Sequence, residues 1–357
     1  MLNTLHAVDA VCSWSPRIGR WRPLRGRFSA IETIRDATLE GSIIVESQAP
    51  GPFYAGSITE KVGLRQHDLQ PWPVFWCHDR EARLAGSALH WRNSSDEICV
   101  EGAFHRTKRR RLMEDRLLAQ SLLGSPQVLT GAWTSLVSNW GGGTNYYHWM
   151  LDCLTRLLVR EHLPEPTKIL IPTNSHKFVH ETICMLGIEN ECMEAPSDHL
   201  IVESFYFCSP TAMTGAWNPR GYTWIRDKFR PFFNTIDPDK RIFLTRRGSS
   251  RVPKNINTIE KIFLNEGFEI IECGSLAVKD QIALASKSSA IAGLHGAAMT
   301  NILWAAPHTP VLELFQANYL NSCFEQIAHQ GDLDYSYHIM DETSDTSAIE
   351  KWIQISK

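Results

Sequence analysis

From Arg241 to Phe315 the chain alternates short apolar runs with segments of helical period, and that rhythm admits few folds. Arg241 to Thr245 reads as a short buried strand. Asn257 with Glu260 three residues on reads as a helix start, a cap followed by an acid. Ile259, Ile262 and Phe263 share one helical face, and Gly267 is a natural stop. Phe268 to Glu272 is the next strand and Lys279 to Ser286 the next helix. Ala290 to Leu294, Met299 to Ala306 and Pro310 to Phe315 continue as strand, helix and strand. Strands and helices alternating at this spacing build right-handed βαβ units around a parallel sheet. Ligands on such sheets sit at the carboxyl ends of the strands.

The remainder divides by pattern. Residues 1–130 carry short strand-like runs (Gly41 to Val45, Val74 to Trp76, Ile98 to Val100) broken by Pro, Gly and Asn/Ser clusters, a β-rich segment. Residues 131–236 alternate a helix around 145–162, a strand at Lys168 to Ile171, a helix from Lys177 to Leu186 and a strand from Leu200 to Phe207. Asp237-Pro238-Asp239 reads as a linker, which leaves residues 237–357 as a C-terminal lobe. The length of 357 residues suits two ordinary domains.

Charge and cysteine content exclude several classes. With 36 Lys+Arg against 39 Asp+Glu, the chain lacks the basic excess of a general nucleic-acid binder. Nine cysteines without a C-x-x-C pair argue against zinc fingers and a disulfide framework, and fit reduced thiols in a cytoplasm. The first residues hold no apolar core long enough for a secretory signal, and no apolar run approaches the ~20 residues that span a bilayer. A cytoplasmic protein is expected, with peripheral association at the inner face of the membrane open. The twelve tryptophans fit either a β-rich core or sugar and base contacts. The basic run Arg106 to Arg111 reads as a solvated surface or as a docking patch for an anionic lipid or acidic glycan.

Four constellations carry chemistry. Gly142 and Gly143 lie in a triple-glycine loop that leads through Asn145 and Tyr147 into a helix bearing His148, Asp152 and Arg156 at four-residue spacing. A histidine with a carboxylate one turn away is a workable base with its orienting partner. The same spacing also fits a solvated face with Asp152 and Arg156 as a surface pair. Arg246, Arg247 and Arg251 follow a strand, where guanidinium forks fit phosphate oxygens. In the Gly293 to Asn301 turn, small residues at Gly296 and Ala297 permit close approach of a ligand. A new helix there offers its N–H groups, and His295 is either a further donor or a structural histidine. Glu313, inside an apolar strand, needs a partner: ribose hydroxyls or a salt bridge to an arginine.

Taken together, these segments resemble the family-61 glycosyltransferases. The resemblance rests on Asn145 to Asp152 (N-Y-Y-H-W-M-L-D), Arg246-Arg247, Gly267-Phe268-Glu269, Leu276 to Ile282, Gly293 to Asn301 and Leu312-Glu313-Leu314, in order across about residues 131–315. It implies an α/β, GT-B-like fold of two Rossmann-like lobes facing a cleft, with the β-rich N-terminal segment joined to the acceptor lobe. It also implies inverting transfer from a nucleotide-sugar without an obligatory metal or other cofactor. Bacterial members of such a family build capsule or lipopolysaccharide, so the expected acceptor is a glycan or lipid-linked glycan.

Placement along the chain then suggests roles. His148 is the expected base with Asp152 orienting it, or Asp152 is the base itself. Arg246, Arg247, Arg251, His295, Gly296, Ala297, Thr300, Asn301 and Glu313 are expected around the donor. Gly142, Gly143, Asn145 and Tyr147 are expected on the acceptor side. A non-catalytic nucleotide or glycan binder of a polysaccharide assembly complex is the rival reading. A nicotinamide-dependent enzyme is disfavoured by the missing G-x-G-x-x-G fingerprint.

Overall fold

A computed structural model describes residues 22–23, 40–45, 74–86, 88–92, 97–98, 125–138, 143–213, 216–217, 219–234, 239–247, 252–340 and 346–356. Gly142, Arg251 and the Arg106 to Arg111 run lie outside these residues, as does most of the expected β-rich segment. The described residues up to Met213 form one compact unit and those from Ala216 onward a second. Among the described residues no helix is long and apolar enough to cross a membrane.

The first unit is built on a mixed sheet. Its parallel half comprises β2 (Gln127–Ser135), β3 (Lys168–Ile171), β4 (Cys192–Glu194) and β5 (His199–Cys208), in the order β5-β2-β3-β4. Ile169 and Leu170 are fully buried, as expected of a strand covered on both faces. The long strand β1 (Val74–Ala85) pairs antiparallel with β5. Short strands Glu40–Val45 and His90–Arg92 pair with β1 in turn. β2 escapes the sequence pattern because it is broken by a bulge. Gly131 sits at φ +83°, the pairing with β5 slips between Leu129 and Ala132, and the Glu203 carboxylate accepts the Gly131 N–H at 2.6 Å.

The chain leaves β2 through a helical stretch, forms β3 and β4 on one side, then returns as β5 on the other. The stretch is not one α-helix. It runs as α at Tyr146–His148, π at Trp149–Cys153 and α at Arg156–Arg160. Helix α1 (Lys177–Met185) joins β3 to β4.

The second unit is a fully parallel sheet of β6 (Lys240–Leu244), β7 (Glu269–Ile271), β8 (Ser288–Leu294), β9 (Pro310–Gln316) and β10 (Asp334–Met340). Its order, β7-β6-β8-β9-β10, is the doubly wound pattern in which connections diverge between β6 and β8. That divergence opens a crevice at the carboxyl ends of these two strands. Helix α2 (Pro219–Phe229), which the sequence reading grouped with residues 131–236, packs in this unit. Arg226 donates to the carbonyls of Leu303 and, at 3.1 Å, Ala305, and Phe229 packs on Trp304 with ring centroids 5.5 Å apart.

Helices α3 (Ile256–Asn265) and α6 (Ser347–Ile355) contribute Ile259, Phe263 and Trp352 to one core with Phe243, Leu312 and Leu314 of the sheet. The other connections are α4 (Val278–Ser286), a 3-10 helix at Ala297–Trp304 where an α-helix from Met299 was expected, and α5 (Cys323–Gln330). The 3-10 form follows from the tight turn before it, where Met299 N–H closes on the Gly296 carbonyl at 2.9 Å. Phe263 is fully buried, stacked 4.5 Å from Phe243 and edge-on to Phe268 at 5.0 Å. Phe263→Ala is expected to cost about 3–5 kcal/mol, read by denaturant unfolding.

Candidate active site

Each unit carries a histidine whose Nδ1 is bound to a buried carboxylate, and each pair lies at the carboxyl end of parallel strands. In the first unit the backbone is prepared by two residues. Gly143 has φ +73°, and a Cβ there would fall 2.3 Å from Ser175 Oγ, so only glycine fits. Its carbonyl accepts the His176 N–H at 2.8 Å. Asn145 is the N-cap, its side chain accepting the His148 N–H at 3.4 Å. Gly143 and Asn145 thus shape the entry to the helix. Tyr147 is buried, its ring edge-on to His148 at 5.2 Å.

The π-turn follows directly. Leu154 N–H bonds back five residues to the Trp149 carbonyl at 2.8 Å, and the Trp149 indole donates to Thr182 Oγ1 at 2.8 Å. Such turns are concentrated at functional sites. This one contains Asp152, whose Oδ2 lies 2.5 Å from His148 Nδ1. The Asp152 side chain is fully buried and that of His148 is 10% exposed. Burial pushes the Asp152 carboxyl up from its ordinary value, against the hydrogen bond and charge of His148 and the charge of Arg156.

Arg156 is itself buried, which removes the surface-pair reading. Its Nε donates to the Asp152 backbone carbonyl at 3.2 Å, and its Nη1 to the Ser135 carbonyl at the end of β2 at 3.5 Å. The guanidinium therefore anchors the π-turn to the carboxyl end of the strand and supplies a cation near the Asp152 carboxylate.

In the second unit, Arg246 follows β6 and His295 follows β8, at the two lips of the crevice. Arg246 Nη1 donates to the His295 carbonyl. A Cβ at Gly296 would fall 2.5 Å from Arg246 Nη1, so a larger residue there would displace the guanidinium, while its φ of 161° is ordinary extended backbone. A shallow cleft, partly open to solvent, is lined by Arg246 and His295 together with Pro253, Gln316, Tyr319 and Met340. His295 Nδ1 is hydrogen-bonded to Glu313 Oε1, and its ring stacks on Phe315 at 4.9 Å. Glu313 is fully buried, and its Oε2 accepts the Tyr335 hydroxyl at 2.5 Å.

Four donor-side expectations change on this geometry. Both oxygens of Glu313 are engaged by His295 and Tyr335, so its partner is neither a ribose nor an arginine. Arg247 is committed to Glu260 through Nε, at 3.0 and 3.1 Å to the two carboxylate oxygens, and through Nη2; Thr245 Oγ1 donates to the same carboxylate at 2.5 Å. Asn301 is buried and ties the turn to α4, donating to Gln281 Oε1 and to the Ala298 carbonyl, each at 3.0 Å. Thr300 is fully buried beside it. What the turn presents to the cleft is His295, with Gly296 and Ala297 continuing the backbone beside it.

Sequence reasoning missed Gln316, Tyr319, Met340 and Tyr335. Met340 and Tyr335 belong to β10, whose Tyr335, Tyr337 and Ile339 alternate with polar residues, a period-2 signal that could have marked it. Among the described residues no group of three or more His, Cys, Asp or Glu is placed to hold a metal ion.

The raised Asp152 carboxyl has a measurable consequence. A carboxyl whose folded value lies above its unfolded one adds stability below the unfolded value, here 3.8, and loses that contribution as pH rises through the folded value. Asp152→Asn is therefore expected to equal or exceed the parent in unfolding free energy at neutral pH, with the gap closing below about pH 4. Denaturant titration at the two pH values checks this.

Two comparisons with known proteins bear on the identity of this arrangement. Residues 146–312 match the family described as Glycosyltransferase 61. A beta-1,2-xylosyltransferase of Arabidopsis thaliana is 33% identical over 84 residues, which make up 23% of this chain and 16% of that protein. The family match takes in His148, Asp152, Arg246 and His295 and stops just short of Glu313. The chain carries a glycosyltransferase family 61 domain.

Proposed function

We propose that the protein is an inverting glycosyltransferase that moves a sugar from a nucleotide-sugar to a hydroxyl of a glycan acceptor. The reading is supported above all by one observation, the 2.5 Å contact of His148 Nδ1 with the fully buried Asp152 inside a π-turn of the family-61 domain. With Nδ1 held by Asp152, Nε2 is the nitrogen that would accept the acceptor's proton. The acceptor oxygen then bonds to the anomeric carbon from the face opposite the diphosphate. The anomeric C–O bond breaks, its electron pair leaving on the diphosphate, so the centre inverts. In the second unit, Arg246 and His295 at the lips of the cleft would hold the diphosphate, and the fixed guanidinium would stabilise charge as it develops there. The cleft wall of Tyr319, Met340 and Pro253 suits the flat face of a base. A GT-B arrangement and a role in capsule or lipopolysaccharide synthesis are the finer parts of this reading, supported by the motif resemblance alone.

A panel of UDP-, GDP- and CDP-sugars with glycan acceptors tests the proposal. His148→Ala and Asp152→Ala are each expected to lower turnover by about a hundredfold or more, with donor affinity measured by calorimetry unchanged. Arg246→Ala is expected to weaken donor binding by about tenfold or more. Transfer that survives His148→Ala would overturn the base assignment. Nucleotide binding by the parent without any product would favour the non-catalytic binder.

A further inference from the structure

Three adjacent parallel strands of the second unit contribute one residue each to a single hydrogen-bonded chain. Tyr335 of β10 donates to Glu313 of β9, and Glu313 binds Nδ1 of His295 at the end of β8. The chain passes through the buried Glu313 to reach the cleft at His295. Glu313 is fully buried, Tyr335 is half-buried, and the His295 side chain is 10% exposed. The imidazole is held on its faces and edges as well, by Phe315 at 4.9 Å, Tyr319 at 5.2 Å and Phe324 at 5.4 Å between ring centroids. Nε2 is then the ring nitrogen left for a ligand in the cleft.

The orientation of that imidazole depends on Glu313 remaining an acceptor at both oxygens. An ionised carboxylate only accepts, whereas a protonated one must donate from one oxygen and can reverse the bond to His295. Burial pushes the Glu313 carboxyl up, toward the protonated form, and the charge of Glu325 on α5 pushes the same way; the hydrogen bonds from His295 and Tyr335 oppose them. The titratable and charged groups around the chain are Glu325 and Cys323 on α5, Tyr337 on β10 and, beyond His295, Arg246. Of the groups opposing burial, Tyr335 is the one that never reaches the cleft.

We propose that Tyr335 is a positioning residue of the cleft: by donating to Glu313 it keeps that carboxylate an acceptor, which fixes His295 with Nδ1–H inward, so that in the imidazolium form Nε2–H is the donor aimed at a bound diphosphate. The proposal rests on reading the cleft as the donor site. It makes the phosphate contact of His295 a property set two residues away.

Tyr335→Phe removes the hydroxyl and keeps the ring. Binding of UDP, GDP and CDP to the full-length protein is measured by calorimetry between about pH 5 and 8, and ¹⁵N spectra of the histidines report the His295 tautomer, assigned with His295→Gln. Expected for Tyr335→Phe is about a tenfold loss of affinity for whichever diphosphate the parent binds. Loss of binding on the acid side should begin at a higher pH than in the parent, because Glu313 without Tyr335 holds its proton longer. The Nδ1–H signature of His295 should give way to a mixture. Glu313→Gln should reproduce the tautomer change more strongly. Unchanged affinity, pH dependence and His295 signature in a folded Tyr335→Phe protein would overturn the proposal. Should the parent bind none of the three diphosphates, the donor-site reading fails, and the ¹⁵N signature by itself still decides whether Tyr335 sets the imidazole.

Discussion

A carboxylate taken wholly out of water must be held, and this protein holds one in each unit with a histidine. The two pairs, His148–Asp152 and His295–Glu313, share a plan: the acid side chain is fully buried, the imidazole is 10% exposed, and Nδ1 is the nitrogen engaged. The desolvation that makes each acid costly also makes its hydrogen bond strong and its geometry single-valued. Each imidazole therefore comes to the surface of its unit already oriented. The surrounding scaffolds differ in how they meet the cost. Asp152 is backed by a buried guanidinium attached to its own backbone carbonyl, whereas Glu313 is backed by a second hydrogen bond from Tyr335.

Backbone irregularities deliver both pairs. The π-turn at Trp149–Cys153 carries Asp152, and the 3-10 helix that starts at Ala297 follows His295 after one residue, Gly296. The glycines on either side are set by contact as much as by conformation. Gly143 combines a left-handed φ with Ser175 packed against its Cα, while Gly296 has extended backbone, and a Cβ there would displace the Arg246 guanidinium. The Arg246 to His295 contact links the two lips of the crevice between β6 and β8, so the divergence of the sheet's connections and the polar groups of the cleft coincide.

Much of this was legible one residue at a time. The strands from Lys240 to Gln316 follow their apolar runs closely, because a parallel strand covered on both faces must be apolar along its length. His148, Asp152, Arg246 and His295 stood out because their residue types are costly to place beside glycine-rich turns without a purpose. The errors share one cause. Arg247, Asn301, Thr300 and Glu313 carry the same chemical groups as a donor site, yet their partners are Glu260, Gln281, His295 and Tyr335 or the surrounding interior. None of those pairings is local, so no window of sequence contains them. β2 was lost to the Gly131 bulge, and α2 was grouped by chain position with a unit in which it does not pack.

The strand–helix alternation of the C-terminal unit, the four-residue spacing of His148 and Asp152, and the chemistry available at each turn are written in the order of residues. Those are properties of neighbours along the chain, governed by side-chain period and residue type. Which polar atoms remain for a ligand is settled by how the chain packs. That outcome depends on burial and on partners brought from distant strands: Tyr335 reaches Glu313 because β10 lies beside β9, and the Arg156 guanidinium meets the Ser135 carbonyl because the helical stretch packs against the end of β2.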